Sequence, residues 1–142
     1  MGVELFERAA EANGNFLKAE QLVEVDGGED PLRGPGYLLT FDVGRILVAA
    51  DRRKACLSIR QVESLDEVAS IRRVALDEEE PWWRVAGNSI TRAWPSEGGS
   101  GATTGEGEVS GLRMQFRGEG ESPRVIFLRY EDGAVHVGLH SQ

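Results

Sequence analysis

The sequence predicts an α+β fold, in which an antiparallel β-sheet of about six to eight strands, arranged in two hairpin-rich groups, carries two or three short helices on one face. Alternating apolar and polar residues recur at hairpin spacing in residues 37–62 and 89–140, and helix signals lie before and between these groups. With 142 residues, 40% of them hydrophobic and 28% charged, the chain has the composition of one globular domain, which we assign to residues 1–142.

The chain opens with a predicted helix over residues 3–13, which Gly14 ends. Its apolar residues repeat at helical spacing, so they form one stripe between charged positions. The stripe consists of Leu5, Phe6, Ala9 and Ala10. Residues 17–25 alternate like a strand, although their first half could also prolong the helix.

A loop and the first group of strands follow. Residues 26–36 are dense in Gly, Pro, Asp and Glu, which interrupt both helices and strands. Three strands are then predicted at hairpin spacing, and they form an antiparallel meander. They cover residues 37–43, 45–50 and 55–62.

Two helix starts lie between the two groups of strands. Ser64 and Glu67 have the spacing of a capping box, which predicts a helix over residues 65–74. Pro81 follows the acidic run 77–80 and resembles the first position of a second helix, which Gly87 would stop after about two turns. We interpret the four acids as solvated caps rather than as a cation site or a pair of catalytic carboxylates.

The second group of strands is interrupted by a long polar segment. Residues 96–110 are almost entirely Gly, Ser, Thr, Glu and Ala, which predicts a flexible loop. Four strands are predicted around it, with a turn at residues 131–133 where Gly133 accepts a positive φ. They cover residues 89–94, 112–117, 124–130 and 134–140.

Alternation assigns the faces of these strands, because successive side chains of a strand point to opposite sides of the sheet. Leu112, Met114, Phe116, Val135, Val137 and Leu139 are predicted to face the core, and Arg113, Gln115, Arg117, His136, Gly138 and His140 the opposite face. Residues 125–128 are apolar on both faces. If Ile126, Leu128 and Tyr130 share the face of Arg113, part of that face needs a cover. The cover is either a partner or ligand, or the loop 96–110 together with the tryptophans.

Several kinds of chemistry find little support. A formal net charge of −8 opposes binding to nucleic acid, since that binding rests on an excess of Lys and Arg. Cys56, the single cysteine, lies inside a predicted strand, where a thiol is usually a small core side chain. His136 and His140 would lie roughly 13 Å apart on a strand, too far to share a metal ion. We therefore predict no catalytic residue, metal site or cofactor.

Localisation and membrane association are predicted from the same composition. No apolar run is long enough to span a bilayer, so no membrane partner is expected. With one cysteine and no signal-like segment at Met1, a cytoplasmic location is expected.

All three tryptophans fall within residues 81–95, together with two arginines. Trp82 and Trp83 would point about 100° apart on a helix, so only one of them is expected to lie deep in the core. Indoles near arginines can form aromatic–guanidinium stacks, which favour binding. The predicted binding residues are Trp82, Trp83, Arg84, Trp94, Arg113, Gln115 and His136.

These residues lead to two hypotheses about function. The first is a small soluble non-enzymatic protein that binds a protein partner, or a second copy of itself, through the segment of Trp82 and Trp83 and the adjoining sheet face. The second is a small-ligand-binding protein or enzyme, with a pocket between the sheet, the tryptophan segment and the loop 96–110.

Overall fold

The computed structural model describes residues 3–12, 14–23, 33–62, 72–76, 82–95, 111–117 and 124–140. These residues form two five-stranded antiparallel sheets, with one short α-helix in the described ranges. The predicted α+β class, with two or three helices on one sheet face, is therefore wrong. The protein is nearly all β, and the prediction of antiparallel sheet is confirmed.

The described residues contain one α-helix, one turn of 3-10 helix and ten strands. The helix α1 is Val3–Glu11, and a single turn of 3-10 helix covers Trp82–Arg84. The first five strands are β1 Phe16–Val23, β2 Arg33–Gly34, β3 Gly36–Phe41, β4 Gly44–Asp51 and β5 Cys56–Val62. The next five are β6 Arg72–Ala75, β7 Ile90–Pro95, β8 Gly111–Phe116, β9 Arg124–Glu131 and β10 Ala134–His140.

The first sheet has the strand order β5-β4-β3-β1-β6. The predicted meander forms its β3, β4 and β5, which pair in sequence order. β1 then lies between β3 and β6, and both pairings are antiparallel. The pattern of residues 17–25 suits either a helix or a strand, and most of these residues form the inner strand β1.

The second sheet has the order β2-β10-β9-β8-β7, so its four longer strands are neighbours in sequence as well as in space. The turn between β9 and β10 has positive φ at both Asp132 (51°) and Gly133 (78°). Two successive residues of positive φ suit the right-handed twist of a tight hairpin. The predicted turn at this position is confirmed.

The two sheets pack face to face and share one hydrophobic core. The core includes Tyr37, Leu39 and Val48 from the first sheet and Met114, Ile126, Leu128, Val135 and Val137 from the second. α1 packs against β5 and β7 and adds the buried side chains of Phe6 and Ala9. Each sheet thus covers the apolar face of the other, a role that the sequence interpretation had given to helices.

Aromatic rings occupy the centre of this core. The ring of Phe16 lies 5.5 Å from that of Phe41, 5.6 Å from that of Phe116 and 5.7 Å from that of Trp82, measured between centroids. Trp82 also lies 6.0 Å from Tyr37. Edge-on and tilted pairs at these distances favour packing beyond the burial of area alone.

Two predicted helices are not observed as predicted. Residues 72–74, which end the helix predicted over 65–74, lie in β6, and the remainder of that helix lies outside the described residues. The helix predicted from Pro81 to Gly87 is replaced by the 3-10 turn Trp82–Arg84, after which Gly87 adopts φ 85°. Gly87 donates its backbone N–H to the carbonyl oxygen of Phe16 at 2.7 Å, which ties this turn to β1.

The predicted loops are in part strand. Within 26–36, Arg33–Gly34 form β2 and Gly36 begins β3, because the chain passes from the second sheet to the first at Pro35. Residues 26–32 of that loop, the acidic run 77–80 and the whole predicted loop 96–110 lie outside the described residues.

Candidate functional site

The outer face of the second sheet, the side turned away from the core, carries most of the residues that were predicted to bind. Met114 pairs with Ala93 and Ile126 on the inner side, so Arg113 and Gln115 point outward. Arg113 is directly opposite Trp94 on β7 and Phe127 on β9. Phe127 in turn is opposite Gly138 on β10. We call this face, built around the row Trp94, Arg113, Phe127 and Gly138, the arginine–aromatic face.

Two further rows flank this one. Gln115 lies between Arg92 on β7 and Val125 on β9. On the other side, His136 lies between Arg129 on β9 and Arg33 on β2. Alternation in antiparallel strands brings these side chains to one surface although they are up to 103 positions apart in the chain.

Guanidinium groups contact the aromatic rings on this face. The Arg92 Cζ lies 5.0 Å from the centroid of Trp94, and the Arg129 Cζ lies 6.0 Å from that of Phe127. Both distances are within the range of cation–π attraction. Arg129 also forms an ion pair of 2.8 Å with Glu131 on the same strand.

Arg113 differs from these two arginines because one of its donors has no acceptor in the described part of the chain. Its Nε is buried and makes no hydrogen bond to the described residues, although the side chain as a whole is partly exposed between Trp94 and Phe127. A buried donor without a partner costs free energy, more so when the group is charged.

His136 has a defined hydrogen bond. The Arg33 Nε donates to the His136 Nε2 at 3.1 Å. This hydrogen bond connects β2 to β10 and orients the imidazole at the β2 edge of the arginine–aromatic face.

The ring of Phe127 lies directly across Gly138. A Cβ built on Gly138 would lie 2.2 Å from the Phe127 Cζ, a distance that no real side chain tolerates. Gly138 therefore leaves the room in which this aromatic ring lies flat against the sheet. Because Gly138 has no side chain, the Phe127 ring can lie close to the backbone of β10.

The predicted binding residues divide into two groups. Trp94, Arg113, Gln115 and His136 share the arginine–aromatic face. Trp82 is fully buried at 0% exposure in the core between the sheets, so a partner on the surface cannot reach its indole. Trp83 is 49% exposed on the 3-10 turn, outside the sheet, and the side chain of Arg84 is outside the described part.

The register of β8 with β9 shows which side chains of β9 lie on the same side of the sheet as Arg113. Ile126 and Leu128 are fully buried and face inward, opposite Met114 and Leu112. The outward positions of β9 are Val125, Phe127 and Arg129, and Tyr130 packs against the core. The condition that Ile126, Leu128 and Tyr130 share the face of Arg113 is therefore not met.

Sequence reasoning missed Arg33, Phe127 and Arg129 as members of the face, whereas it does offer Arg92 as an arginine that can stack on a tryptophan. Residues 125–128 are apolar at every position, so the sequence alone does not show which side of the sheet Phe127 faces. The alternation of Leu112, Met114 and Phe116 along β8 shows it once the register of β8 with β9 is known.

Two other kinds of candidate chemistry concern metal ions and the thiol of Cys56. In the described ranges, no group of three or more His, Cys, Asp and Glu side chains has the arrangement of a metal site. Cys56 is 7% exposed at the start of β5, so its thiol is a core side chain. In that same part of the chain, no helix is long and apolar enough to cross a bilayer.

Comparisons with known proteins give no further assignment. No family model, no curated protein and no solved structure matches this chain. Function must therefore be inferred from the chemistry of the surfaces themselves.

Proposed function

We propose that this protein is a non-enzymatic protein-interaction module that binds an acidic segment of a protein partner through the arginine–aromatic face. One observation carries the proposal. Arg113 lies between Trp94 and Phe127, and its buried Nε has no acceptor among the described residues. A carboxylate from a partner would pair with this partly exposed guanidinium group through charge-assisted hydrogen bonds.

The charge of the face supports an acidic partner. The outward positions of its described strands carry four arginines against one glutamate, Glu131, whereas the whole chain has a net charge of −8. The four are Arg33, Arg92, Arg113 and Arg129. A basic surface on an acidic protein gives a partner one favourable orientation, and complementary charge raises the rate of encounter. The acidic remainder of the chain would oppose a nucleic acid backbone.

The aromatic side chains of the face support recognition of a protein. Trp94 and Phe127 are partly exposed, and each is stacked by an arginine, so their rings are held in place before binding. Tryptophan and arginine are the residue types that dominate binding energy at protein interfaces. Rings that are already ordered lose less conformational entropy on binding than mobile side chains do. We further propose that the partner is met in the cytoplasm.

Selection of displayed peptides against the folded full-length chain tests the proposal. Sequences rich in Asp and Glu are expected to be enriched. For one such peptide, synthesised and titrated calorimetrically, Arg113→Gln should weaken binding about tenfold or more, since a hydrogen bond to a charged group contributes roughly 1.5–3 kcal/mol. Trp94→Ala should weaken binding as well.

Arg53→Gln is the matched control. Arg53 is exposed in the turn between β4 and β5 on the first sheet, and its replacement removes the same charge. It should leave the affinity nearly unchanged. Enrichment of neutral or basic peptides, or equal losses in Arg113→Gln and Arg53→Gln, would refute the proposal. A dimer of the chain that Arg113→Gln dissociates would identify a second copy as the partner instead.

A further inference from the structure

The row of side chains that contains His136 differs from the rest of the arginine–aromatic face, because an imidazole changes its charge between pH 5 and 8. His136 on β10 lies directly between Arg129 on β9 and Arg33 on β2. The Arg33 Nε donates to the His136 Nε2 at 3.1 Å. We infer that protonation of His136 regulates this face and strengthens its binding to an acidic partner, an inference that rests on the proposed function.

Protonation changes the hydrogen bonds that Arg33 and His136 can make. A neutral imidazole has one nitrogen that accepts a hydrogen bond, and in His136 that nitrogen receives the bond from Arg33. An imidazolium ion has two N–H donors and no acceptor, so the bond from Arg33 cannot persist. Both side chains then have donors for a carboxylate, with which each can make a charge-assisted hydrogen bond.

The charged groups around His136 favour an anion at this row. Among the described residues, Arg33 faces the imidazole from β2, and Arg129 and Glu131 face it from β9. The nearest outward residues on its own strand are uncharged, and they are Ala134 and Gly138. Two arginines against one glutamate give the row a positive charge, and protonation of His136 adds to it.

The sign of the pH effect follows from the linkage between binding and protonation. If the protonated face binds an anion more tightly, the bound anion must favour the protonated form by the same factor. The affinity for an acidic segment should therefore rise as the pH falls from about 8 to about 5.5, and binding should take up protons. An aspartate ligand keeps its charge over this range, because the ordinary pKa of aspartate is about 3.9.

Calorimetric titration of the full-length chain with a hexa-aspartate peptide, acetylated and amidated at its ends, tests the inference. At low ionic strength the affinity should rise about threefold or more between pH 8 and pH 5.5, a change within the range measured for ion pairs at protein surfaces. Near pH 6.5, binding enthalpies measured in buffers of different ionisation enthalpy should show a net uptake of protons.

His136→Gln and His140→Gln give a matched comparison, because they remove the two histidines of the chain one at a time. Glutamine can still accept a hydrogen bond from Arg33 but does not titrate, so His136→Gln should lose most of the gain at low pH and the proton uptake. The position of His140 is opposite Val125 rather than an arginine. His140→Gln should therefore keep both the gain and the uptake.

A second measurement needs no partner. In ¹⁵N spectra of the free chain, the Nε–H resonance of Arg33 should shift over the same pH range as the imidazole of His136, because the hydrogen bond between them is lost. This shift should be absent in His136→Gln. An Arg33 resonance that does not follow the titration of His136 would overturn the inference.

The outcomes separate this inference from the proposed function. Binding that Arg113→Gln weakens but that is equally tight at every pH would overturn the inference alone. A gain at low pH that persists in His136→Gln would also overturn it, because the gain would then come from other groups. Absence of binding at every pH would refute the proposed function, together with the regulation inferred for it.

Discussion

At the scale of single residues, the two adjacent tryptophans have different roles. Trp82 is 0% exposed and packs against Phe16 and Tyr37, whereas Trp83 is 49% exposed. The prediction that only one of them lies deep in the core is confirmed. The geometric reason is simple, since neighbouring side chains on a helical turn point in different directions.

This difference predicts unequal effects on stability. Trp82→Ala should lower the free energy of unfolding by about 3–5 kcal/mol, because it leaves a large cavity among the aromatic rings of the core. Trp83→Ala should cost much less, because half of its side chain is already in water. Denaturation in urea, monitored by circular dichroism, measures both. Equal losses would contradict the packing described for Trp82.

At the scale of elements, a glycine and an aromatic residue on neighbouring strands depend on each other. A Cβ built on Gly138 would lie 2.2 Å from the Phe127 Cζ, so the ring occupies the space that a side chain at residue 138 would need. Gly138→Ala should therefore displace the ring and destabilise the protein by about 1–3 kcal/mol, the usual cost of overpacking. The same substitution should weaken binding at the arginine–aromatic face.

A double-mutant cycle isolates this effect. In a Phe127→Ala background the space above residue 138 is open, so Gly138→Ala should become neutral or stabilising, since glycine weakens a strand by roughly 0.5–1 kcal/mol. Urea denaturation of the four proteins gives the coupling energy. A cost of Gly138→Ala that is unchanged in the Phe127→Ala background would show that the ring is not the cause.

The elements also show how far the sequence could be interpreted. β8 was predictable because Leu112, Met114 and Phe116 alternate strictly with polar residues, and the inward burial of all three is confirmed. The short strands β2 and β6 were missed, because two to four residues carry too little periodicity to predict a strand. Each of them is set by its pairing with a distant strand, β10 for β2 and β1 for β6.

The candidate surface was predictable in part for the same reason. Alternation along one strand placed Arg113 and Gln115 together, and the local concentration of tryptophan pointed to Trp94. Arg33 joins His136 only through the register of β2 with β10, a contact between residues 103 positions apart. Local patterns carry no information about such a register. Trp82 was included in the binding set because composition does not reveal which of two neighbouring indoles turns inward.

At the scale of the whole molecule, two sheets share one core and are joined at one edge by backbone hydrogen bonds. Asn15 and Ser89 form an isolated bridge, and Phe16 donates its N–H to the Asn88 carbonyl oxygen at 2.9 Å, as Ile90 does to that of Gly14. Within the core, residues of both sheets belong to a single buried cluster. Neither sheet can therefore separate without exposing the apolar face of the other.

The shared core predicts that the sheets unfold as one cooperative unit. Met114→Ala, a substitution on the inner side of the second sheet, should lower stability by about 2–5 kcal/mol. In native-state hydrogen exchange, the slowest amides of β3 and β4 in the first sheet should lose protection by the same factor as those of β8 and β9, since all of them exchange through global unfolding. Gln115→Ala, on the outer side of the same strand, should leave the hydrogen-exchange protection of both sheets nearly unchanged. Loss of protection confined to the second sheet in Met114→Ala would mean that the two sheets unfold independently despite their common core.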